Sequence, residues 1–511
     1  MRAKTAAGLV ALVLAVVYLL APPMGTDLSA QVARARFFDG YGLTPVDLGW
    51  YGGTVQYGYS LVSPAVMALL GVPLAGALAL VVSALAFAAL LVRTAARRPL
   101  LGGVLGAACI AGNLVSGRVT YALGVAFGLL ALLALTATRR WVRFAGGTAG
   151  ALLASATSPV AGLFVVLAAV ALLLHDRRDV RKPEVATVIV GAAVPLTAMA
   201  LLFGEGGWMN ISRDDTLHAV VASLAVAAVV PRRVVRVGAV LSALGVLAAF
   251  AVHTPVGLNA TRLVTMFALP VVAAYGEAPV SWPARIRTAA LGALLVTLAL
   301  WQPPVLVGDL RDAGGPTGYP SYFGPLRAEL DSRPAGRVEV PPTRDYWEAA
   351  YTTPLARGWL RQVDLDRNAL FFDGTLTADR YRDWLVDNGV RYVALPDAEP
   401  SWLGRPEEAL VRGGLPYLAE VWRGDHWVLY EVAGRPSIVD GAALATVTGA
   451  AVTIDLERPG QALVRVRWSR WLTVAGPGGC LAAGKDGWTT VRVTRPGRYR
   501  LSSGLWPGPH C

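Results

Sequence analysis

The stretch that decides the fold is GTDLSAQVARARFFDGYGLTPVDLGWYGG, residues 25–53. It follows an apolar run at residues 6–20 and precedes another that begins near Leu61. Within it, charged side chains lie among aromatic rings and glycines, a composition typical of a loop at a membrane surface. We therefore interpret residues 23–60 as the first exterior loop of a membrane protein.

The composition of the whole chain agrees with that interpretation. The protein has 511 residues, of which 55% are hydrophobic and only 16% are charged, and its mean hydropathy is +0.50. Soluble domains carry about 25% charged residues, so these values favour a polytopic membrane protein. The net charge of +12 is nearly all arginine, clustered in short loops between apolar runs. Membrane orientation explains that pattern better than a nucleic-acid partner does.

Eleven apolar runs are candidates for crossing a bilayer, which takes about 17 to 25 residues each. They are residues 6–22, 61–92, 100–116, 119–138, 144–157, 158–174, 184–203, 215–230, 237–253, 262–275 and 287–303. The second run is long enough for a span plus an interfacial extension. Pro159 favours a break between the fifth and sixth runs, which form either two short spans or a re-entrant hairpin. Cleavage of residues 1–22 as a signal peptide is the weaker alternative, because no A-x-A site follows them.

The basic residues orient these spans. With a cytoplasmic N-terminus, seventeen arginines and lysines fall in cytoplasmic segments and five fall in exterior ones. Cytoplasmic loops of membrane proteins carry such an excess of positive charge. An odd number of spans then places everything after about residue 304 outside the cell. We expect a multi-pass protein of the cell membrane with an extracytoplasmic C-terminal domain.

The chain changes character after the last apolar run. Residues 304–435 mix helix and strand patterns, as in DRYRDWLVDNGVRYVALPD at 379–397, and predict an α/β subdomain. In residues 436–511 the hydrophobic period becomes two between Gly and Pro turns, which predicts a small β-sandwich. The predicted domains are thus a transmembrane domain, residues 1–303, and these two extracytoplasmic subdomains.

The three cysteines divide between the two parts of the chain. Cys109 lies inside an apolar run and is expected to be a small buried side chain. Cys480 and Cys511 both lie in the β-rich part, where an oxidising exterior would let them form a disulfide.

A first span followed at once by an acidic residue, Asp27, and then by a long exterior loop with an amphipathic helix resembles the GT-C class of membrane glycosyltransferases. These enzymes use polyprenyl-phosphate sugars as donors. Some of them, including the actinobacterial arabinofuranosyl- and mannosyltransferases, carry a large exterior C-terminal domain after roughly eleven spans. Within this class TDLSAQ (26–31), GWYGG (49–53) with YGYSLVSP (57–64), GLNATRL (257–263) and ARGWLRQVDLDRNALFF (356–372) look like stretches of a group of actinobacterial membrane proteins.

The resemblance implies a general base and a cation at the exterior ends of the spans. Sugar transfer requires a group that takes the proton of the acceptor hydroxyl, and Asp27 is the predicted base. The leaving group is a lipid phosphate, whose charge a nearby arginine would stabilise. Arg262 is the best candidate because it begins an apolar segment, with Asn259 one turn earlier; Arg118 and Arg213 are further candidates.

The other residues of the first loop have two explanations. Asp47, Trp50, Tyr51 and Tyr59 are predicted to bind substrate at the entrance of the site. Alternatively, the rings form an aromatic belt at the headgroup level, and SAQVARARFF is an interfacial amphipathic helix.

The predicted function is an integral membrane glycosyltransferase that acts on an envelope glycan or glycolipid at the extracytoplasmic side. Its partners are the polyprenyl-phosphate sugar, that acceptor and the bilayer, with no nucleic acid. No metal site is assigned, although Glu205, Asp214 and Asp215 leave a divalent cation, Mg²⁺ or Mn²⁺, open. Two alternatives remain: a transporter or flippase of lipid-linked glycans, although we detect no internal repeat typical of transporters, and a non-enzymatic scaffold for envelope assembly.

Overall fold

A computed structural model describes residues 2–175, 182–311, 313–506, 508 and 510–511. The chain forms two compact units. The first, which we call the membrane unit, consists of Met1–Gln31 and Gly58–Ala313. The second, the sheet unit, consists of Val32–Tyr57 and Gly314–Cys511.

The limits of the two units differ from the predicted domain limits. The first loop was predicted to belong wholly to the transmembrane domain, but most of it lies in the sheet unit. Backbone hydrogen bonds explain this, because Leu48 N donates to Gly449 O at 2.7 Å and Leu355 N donates to Gly49 O at 2.8 Å. The membrane unit also extends beyond residue 303.

The helices of the membrane unit follow the apolar runs of the sequence. They are α1 Arg2–Leu20, α2 Leu28–Tyr41 (whose later turns belong to the sheet unit), α3 Ser63–Leu70, α4 Val72–Arg93, α5 Pro99–Val115, α6 Val119–Leu135, α7 Gly147–Thr157, α8 Pro159–His175, α9 Lys182–Phe203, α10 Arg213–Val229, α11 Arg233–Ala251, α12 Arg262–Tyr275, α13 Ala284–Trp301 and α14 Val307–Arg311. Two breaks have local causes. Gly71, at φ +81°, separates α3 from α4, and extended Ser158 precedes the proline that begins α8.

The chain is a multi-pass membrane protein. In the described part of the chain six helices are long and apolar enough to cross a bilayer: α1, α4, α9, α11, α12 with its preceding turn, and α13. Helices α5, α6 and α8 are apolar but shorter. The prediction of eleven crossings is therefore not confirmed. The basic loop at 176–181, which contributed to the predicted orientation, lies outside the described residues.

In its described residues, the sheet unit combines short helices with three four-stranded sheets and a two-stranded ribbon. The helices are α15 Pro320–Ser332, α16 Glu348–Tyr351, α17 Arg361–Arg367, α18 Ala378–Asp387 and α19 Gly404–Arg412. The strands are β1 Val46–Asp47, β2 Thr54–Val55, β3 Arg337–Glu339, β4 Val390–Pro396, β5 Leu418–Arg423, β6 Trp427–Val432, β7 Val439–Asp440, β8 Ala443–Val447, β9 Val452–Leu456, β10 Gly460–Arg467, β11 Leu472–Ala475, β12 Gly479–Ala483, β13 Trp488–Val493 and β14 Gly497–Ser503.

The order of the strands separates an α/β part from an all-β part. Strands β3, β4, β6 and β5 form a mixed sheet in which only the β3–β4 pair is parallel. The last eight strands form two antiparallel sheets, ordered β12-β13-β10-β7 and β11-β14-β9-β8. Alternate residues of β9 and β10 are buried, as the period-two pattern predicts, and Val452, Ile454 and Val464 lie in the core between these strands.

The cysteines occupy the positions that the sequence suggests. A disulfide joins Cys480 in β12 to the C-terminal Cys511, with the Cα atoms 5.4 Å apart. Cys109 in α5 is a buried free thiol.

Candidate active site of the membrane unit

Three of the predicted site residues lie together in the membrane unit. Asp27 immediately precedes α2, and its Oδ2 accepts a hydrogen bond from Arg118 Nε at 2.9 Å. Arg262 Nη2, at the start of α12, lies 3.7 Å from the same oxygen. All three side chains are partly buried, with exposed fractions between 16% and 25%. One carboxylate therefore faces two guanidinium groups in a partly desolvated setting.

Two glycines allow the loops that carry these residues to touch through their backbones. Gly25 has φ +91° and Gly117 has φ +77°, a region that favours glycine. A Cβ on Gly25 would lie 2.3 Å from the carbonyl oxygen of Val115, and one on Gly117 would lie 2.4 Å from Leu28 N. No larger residue fits at either position, so this close contact fixes Asp27 beside the loop that carries Arg118.

A buried amide links the start of α2 to the start of α6. Gln31 Oε1 accepts hydrogen bonds from Thr120 Oγ1 at 2.6 Å and from Thr120 N at 3.3 Å. Its Nε2 donates to Asp27 O and to the hydroxyl of Tyr59, both at 3.4 Å. Tyr59, predicted to bind substrate, therefore lies one side chain away from Asp27. Gln31 is the last residue of the TDLSAQ stretch.

A second carboxylate, which the sequence analysis did not single out, supports the same loops. Asp309 lies in α14 and is only 4% exposed. Its Oδ2 accepts from Ser116 Oγ at 2.6 Å, and its Oδ1 accepts from Thr26 N at 3.4 Å. Ser116 O in turn accepts from Asp27 N at 3.1 Å. Asp309 thus braces the segments on both sides of the Asp27–Arg118 pair.

An apolar slot of about 500 Å³ runs through the helices of the membrane unit. Its walls come from α4, α6, α8, α9, α10, α11 and α12, and they include Phe87, Phe164 and Phe267. Along α6 the lining extends from Tyr121 to Leu135 and on to Thr136. At 1.5 Å of rise per residue, this distance is about 22 Å.

Tyr121 connects the slot to the charged residues. The guanidinium carbon of Arg262 lies 5.2 Å from the centre of the Tyr121 ring, a cation–π contact. Tyr121 is 3% exposed, and its hydroxyl has no hydrogen-bond partner within the residues that the structure describes. Leaving a buried hydroxyl unpaired costs about 1–3 kcal/mol, a cost that a bound ligand with an acceptor atom would remove.

Two other predicted site residues have local partners. Asn259, in the turn before α12, donates through Nδ2 to Met209 Sδ at 3.1 Å. Asp47 lies in the sheet unit, where its carboxylate accepts from Gly49 N at 2.7 Å and from Gln56 Nε2 at 2.9 Å. The predicted roles of Asn259 and Asp47 in binding phosphate and substrate stay predictions.

The two predicted aromatic contacts of the first loop are buried in the sheet unit. Trp50 is 1% exposed and donates from Nε1 to Ala349 O at 3.0 Å. Tyr51 is 3% exposed and donates from its hydroxyl to Gly358 O at 2.5 Å. Rings in such positions do not reach lipid headgroups, which argues against an aromatic belt for these two residues. Their direct contact with substrate also stays a prediction.

Among the acidic residues near the start of α10, Asp215 has a local hydrogen-bond partner. In the described part of the chain, no group of three or more His, Cys, Asp and Glu side chains is arranged to hold a metal ion. Asp215 instead accepts a hydrogen bond from Ser212 Oγ at 2.6 Å, while its own backbone N donates to that oxygen. A divalent cation, Mg²⁺ or Mn²⁺, at Glu205, Asp214 and Asp215 stays a prediction.

Comparisons with known proteins give structural matches at low sequence identity. No protein-family model matches the sequence, and no curated protein matches it. Two solved structures, of the arabinofuranosyltransferase AftD from mycobacteria and of a mutant of it, cover 98% of this chain at 14% identity, with TM-scores of 0.47 and 0.46. This chain spans 57% and 60% of those chains.

Proposed function

We propose that the protein is a membrane glycosyltransferase that transfers a sugar from a polyprenyl-phosphate donor to a glycan or glycolipid of the cell envelope, on the extracytoplasmic side. One observation carries the proposal: the Asp27 carboxylate pairs with Arg118 and Arg262 directly beside one end of an apolar slot. A donor with an apolar tail and a phosphate head needs these features next to each other. The excess of basic residues in the predicted cytoplasmic loops supports the orientation.

The charge of the cluster suits a phosphodiester. Asp27, Arg118 and Arg262 together carry one net positive charge, and the phosphate that joins a sugar to a polyprenol carries one negative charge. Two guanidinium groups present enough donors to bind phosphate oxygens and to keep the carboxylate as a neighbour. Binding of the donor would therefore neutralise the cluster.

The slot suits the isoprenoid tail in shape and polarity. A tail is already surrounded by hydrocarbon in the bilayer, so its transfer into the slot gains little hydrophobic free energy. The role of the slot is therefore to place the tail, and with it the phosphate, in one position. The hydroxyl of Tyr121 offers a hydrogen-bond donor where the slot meets Arg262.

The chemistry assigned to Asp27 follows from this arrangement. A donor phosphate that shares the two guanidinium groups loosens their hold on the Asp27 carboxylate. The carboxylate then takes the proton of the acceptor hydroxyl while the acceptor oxygen bonds to the anomeric carbon and the bond from that carbon to the phosphate oxygen breaks. Arg118 and Arg262 stabilise the negative charge of the departing polyprenyl phosphate.

The test uses membranes that contain the full chain and a radiolabelled polyprenyl-phosphate sugar. Asp27→Asn is expected to express normally and to lose sugar transfer, and Asp39→Asn, an exposed acid of α2, is the matched control that keeps it. Full transfer by Asp27→Asn would refute the assignment. A transporter would move the labelled lipid without releasing polyprenyl phosphate, so measuring that release separates transfer from transport.

A further inference from the structure

A second cavity lies entirely within the sheet unit. It has a volume of about 300 Å³ and lies among the last turns of α2, helices α15 and α16, and the turn that contains Gly449. None of the residues that line it belongs to the membrane unit. A volume of 300 Å³ lies at the lower end of the range for small-molecule sites, about 300–1,000 Å³.

Aromatic rings form much of the wall of this cavity. Tyr41 is 42% exposed, and its ring centre lies 5.1 Å from that of buried Phe37. On the opposite helix, Tyr351 stacks almost parallel on Trp347, with ring centres 5.6 Å apart. Buried Trp50 also lines the cavity, held in place by its bond to Ala349. The three buried rings, Phe37, Trp50 and Tyr351, are therefore held in place before any ligand arrives, which lowers the entropic cost of binding.

Charged groups of both signs alternate with the rings. Arg36 lies with its guanidinium carbon 5.2 Å from the centre of the Tyr351 ring. Arg327 and Asp331, one turn apart on α15, add a second guanidinium group and a carboxylate, and all three side chains belong to exposed residues. The two arginines would repel a cationic ligand, and the Asp331 carboxylate would repel an anionic ligand. This mixture favours a neutral ligand rich in hydroxyl groups.

We propose that this cavity binds a neutral sugar residue of a glycan. A sugar ring has apolar C–H faces that pack on aromatic rings, and hydroxyl groups around its edge that exchange hydrogen bonds with arginine and carboxylate side chains. The cavity offers both kinds of surface at the size of a monosaccharide. That the bound glycan is the acceptor rests on the proposed function; binding of the sugar does not depend on transfer.

The chain provides a matched pair of positions for a test by steric blocking. Gly40, in the last turn of α2, lines the cavity, and a Cβ built on it would meet no atom within 4 Å. A tryptophan at this position would therefore enter the cavity without displacing the backbone. Gly324 in α15 is equally open but does not line the cavity. Both are helical glycines, so the two substitutions have similar effects on helix propensity.

The experiment measures binding of neutral arabinose and mannose oligosaccharides to the purified full chain in detergent, by saturation-transfer NMR and calorimetry. Saturable binding is expected for the wild type and for Gly324→Trp, with a loss of about tenfold or more in affinity for Gly40→Trp and Arg327→Ala. Equal thermal unfolding midpoints of the two tryptophan variants exclude misfolding. Equal binding by Gly40→Trp and the wild type, a preference for phosphorylated sugars, or no saturable binding of any neutral sugar overturns the proposal.

Asp27→Asn separates this proposal from the proposed function. The variant is expected to bind the oligosaccharides with wild-type affinity and to transfer no sugar. If no variant or wild-type preparation transfers sugar but the blocking pattern holds, the glycosyltransferase assignment fails and the binding site stands. If Gly40→Trp binds the oligosaccharides as well as the wild type while Asp27→Asn abolishes transfer, the binding site fails and the glycosyltransferase assignment stands.

Discussion

The carboxylate of Asp309 accepts a hydrogen bond of 2.6 Å from the hydroxyl of Ser116. The carbonyl oxygen of Ser116 also accepts a hydrogen bond from the backbone N–H of Asp27. Asp309 therefore contacts the residue that is bonded to the proposed catalytic loop. Asp309 is itself buried and is not adjacent to the reacting atoms in any contact that the structure describes. We infer that it is a positioning residue, which acts through the loops that it holds.

Asp309→Ala is expected to lower kcat by about ten- to hundredfold, because it removes the carboxylate that accepts hydrogen bonds from Ser116 Oγ and Thr26 N. A hydrogen bond to a charged group contributes about 1.5–3 kcal/mol, and its loss would loosen the loop that positions Asp27. Asp309→Asn keeps one acceptor oxygen for Ser116 and should restore part of the rate. Radiolabel transfer at saturating donor gives kcat, and the donor KM should change much less. A general folding defect would instead lower the unfolding midpoint of both variants and leave kcat per folded molecule unchanged.

Arg262 is expected to bind the donor phosphate, so its loss should weaken donor binding as well as the chemical step. Arg262→Ala should raise the donor KM and lower kcat/KM by about a hundredfold, since a charge-assisted hydrogen bond contributes about 1.5–3 kcal/mol. Arg262→Lys keeps the charge but not the fork of donors, and should recover only part of this loss.

The matched control for this series is Arg213→Ala. Arg213, a further phosphate candidate in the sequence, is exposed at the start of α10. Its substitution should leave the donor KM unchanged. An equal rise in KM for both alanine variants would indicate that general attraction of anionic lipid, rather than a bound phosphate, is what these arginines provide.

Tyr121→Phe is expected to shift stability and donor affinity in opposite directions. The substitution keeps the ring that Arg262 contacts and removes a buried hydroxyl that is unpaired in the described structure. The free protein should become more stable, by about 1 kcal/mol, while the donor KM rises about tenfold because the phosphate loses a hydrogen bond. Thermal unfolding in detergent and donor titration measure the two effects. A rise in stability with an unchanged KM would mean that the hydroxyl does not meet the donor.

The sequence allowed the membrane helices to be predicted for physical reasons, and the resemblance pointed to three charged residues that lie together in the structure. Apolar runs of the length of a bilayer must form helices, and Pro159 marked a break that the structure contains. Asp27 was proposed as a base, and Arg118 and Arg262 as phosphate ligands, from the resemblance and from the charges that sugar transfer develops, and these roles stay predictions. A carboxylate beside hydrocarbon, such as Asp27, is also costly without a partner. In the structure its partners are Arg118 and Arg262.

The sequence did not reveal the contacts that depend on distant segments. Asp309 is one of two acids in a short linker segment, and nothing in the sequence around it indicates that it is buried against Ser116. Tyr121 looks like any aromatic residue at the start of an apolar helix. Trp50 and Tyr51 were predicted to lie at an entrance, because a stretch rich in rings and glycines has the same composition in a headgroup belt and in a folded core.

Glu348 in α16 provides a prediction for the pH dependence of stability. It is 3% exposed, and burial raises the pKa of its carboxyl from 4.5 to about 8, although hydrogen bonds from Thr343 favour the ionised form. The nearby Asp345 carboxylate also raises this pKa. Between the ordinary and the raised value the folded protein binds more protons than the unfolded chain. The contribution of Glu348 to stability is therefore fully present below about pH 4.5 and is lost as the pH rises to about 8.

Glu348→Gln is expected to remove this dependence, because glutamine keeps an acceptor for Thr343 and does not ionise. The measurement is the thermal unfolding midpoint, followed by tryptophan fluorescence at pH 5 and at pH 8.5. From pH 5 to pH 8.5, the unfolding midpoint of the wild type should decrease by several degrees more than the midpoint of Glu348→Gln. Glu329→Gln, a less buried acid of α15 paired with Arg333, is the control that should keep the wild-type slope. If the unfolding midpoints of the wild type and of Glu348→Gln change equally between pH 5 and pH 8.5, the Glu348 carboxyl is ionised in the folded protein throughout this range.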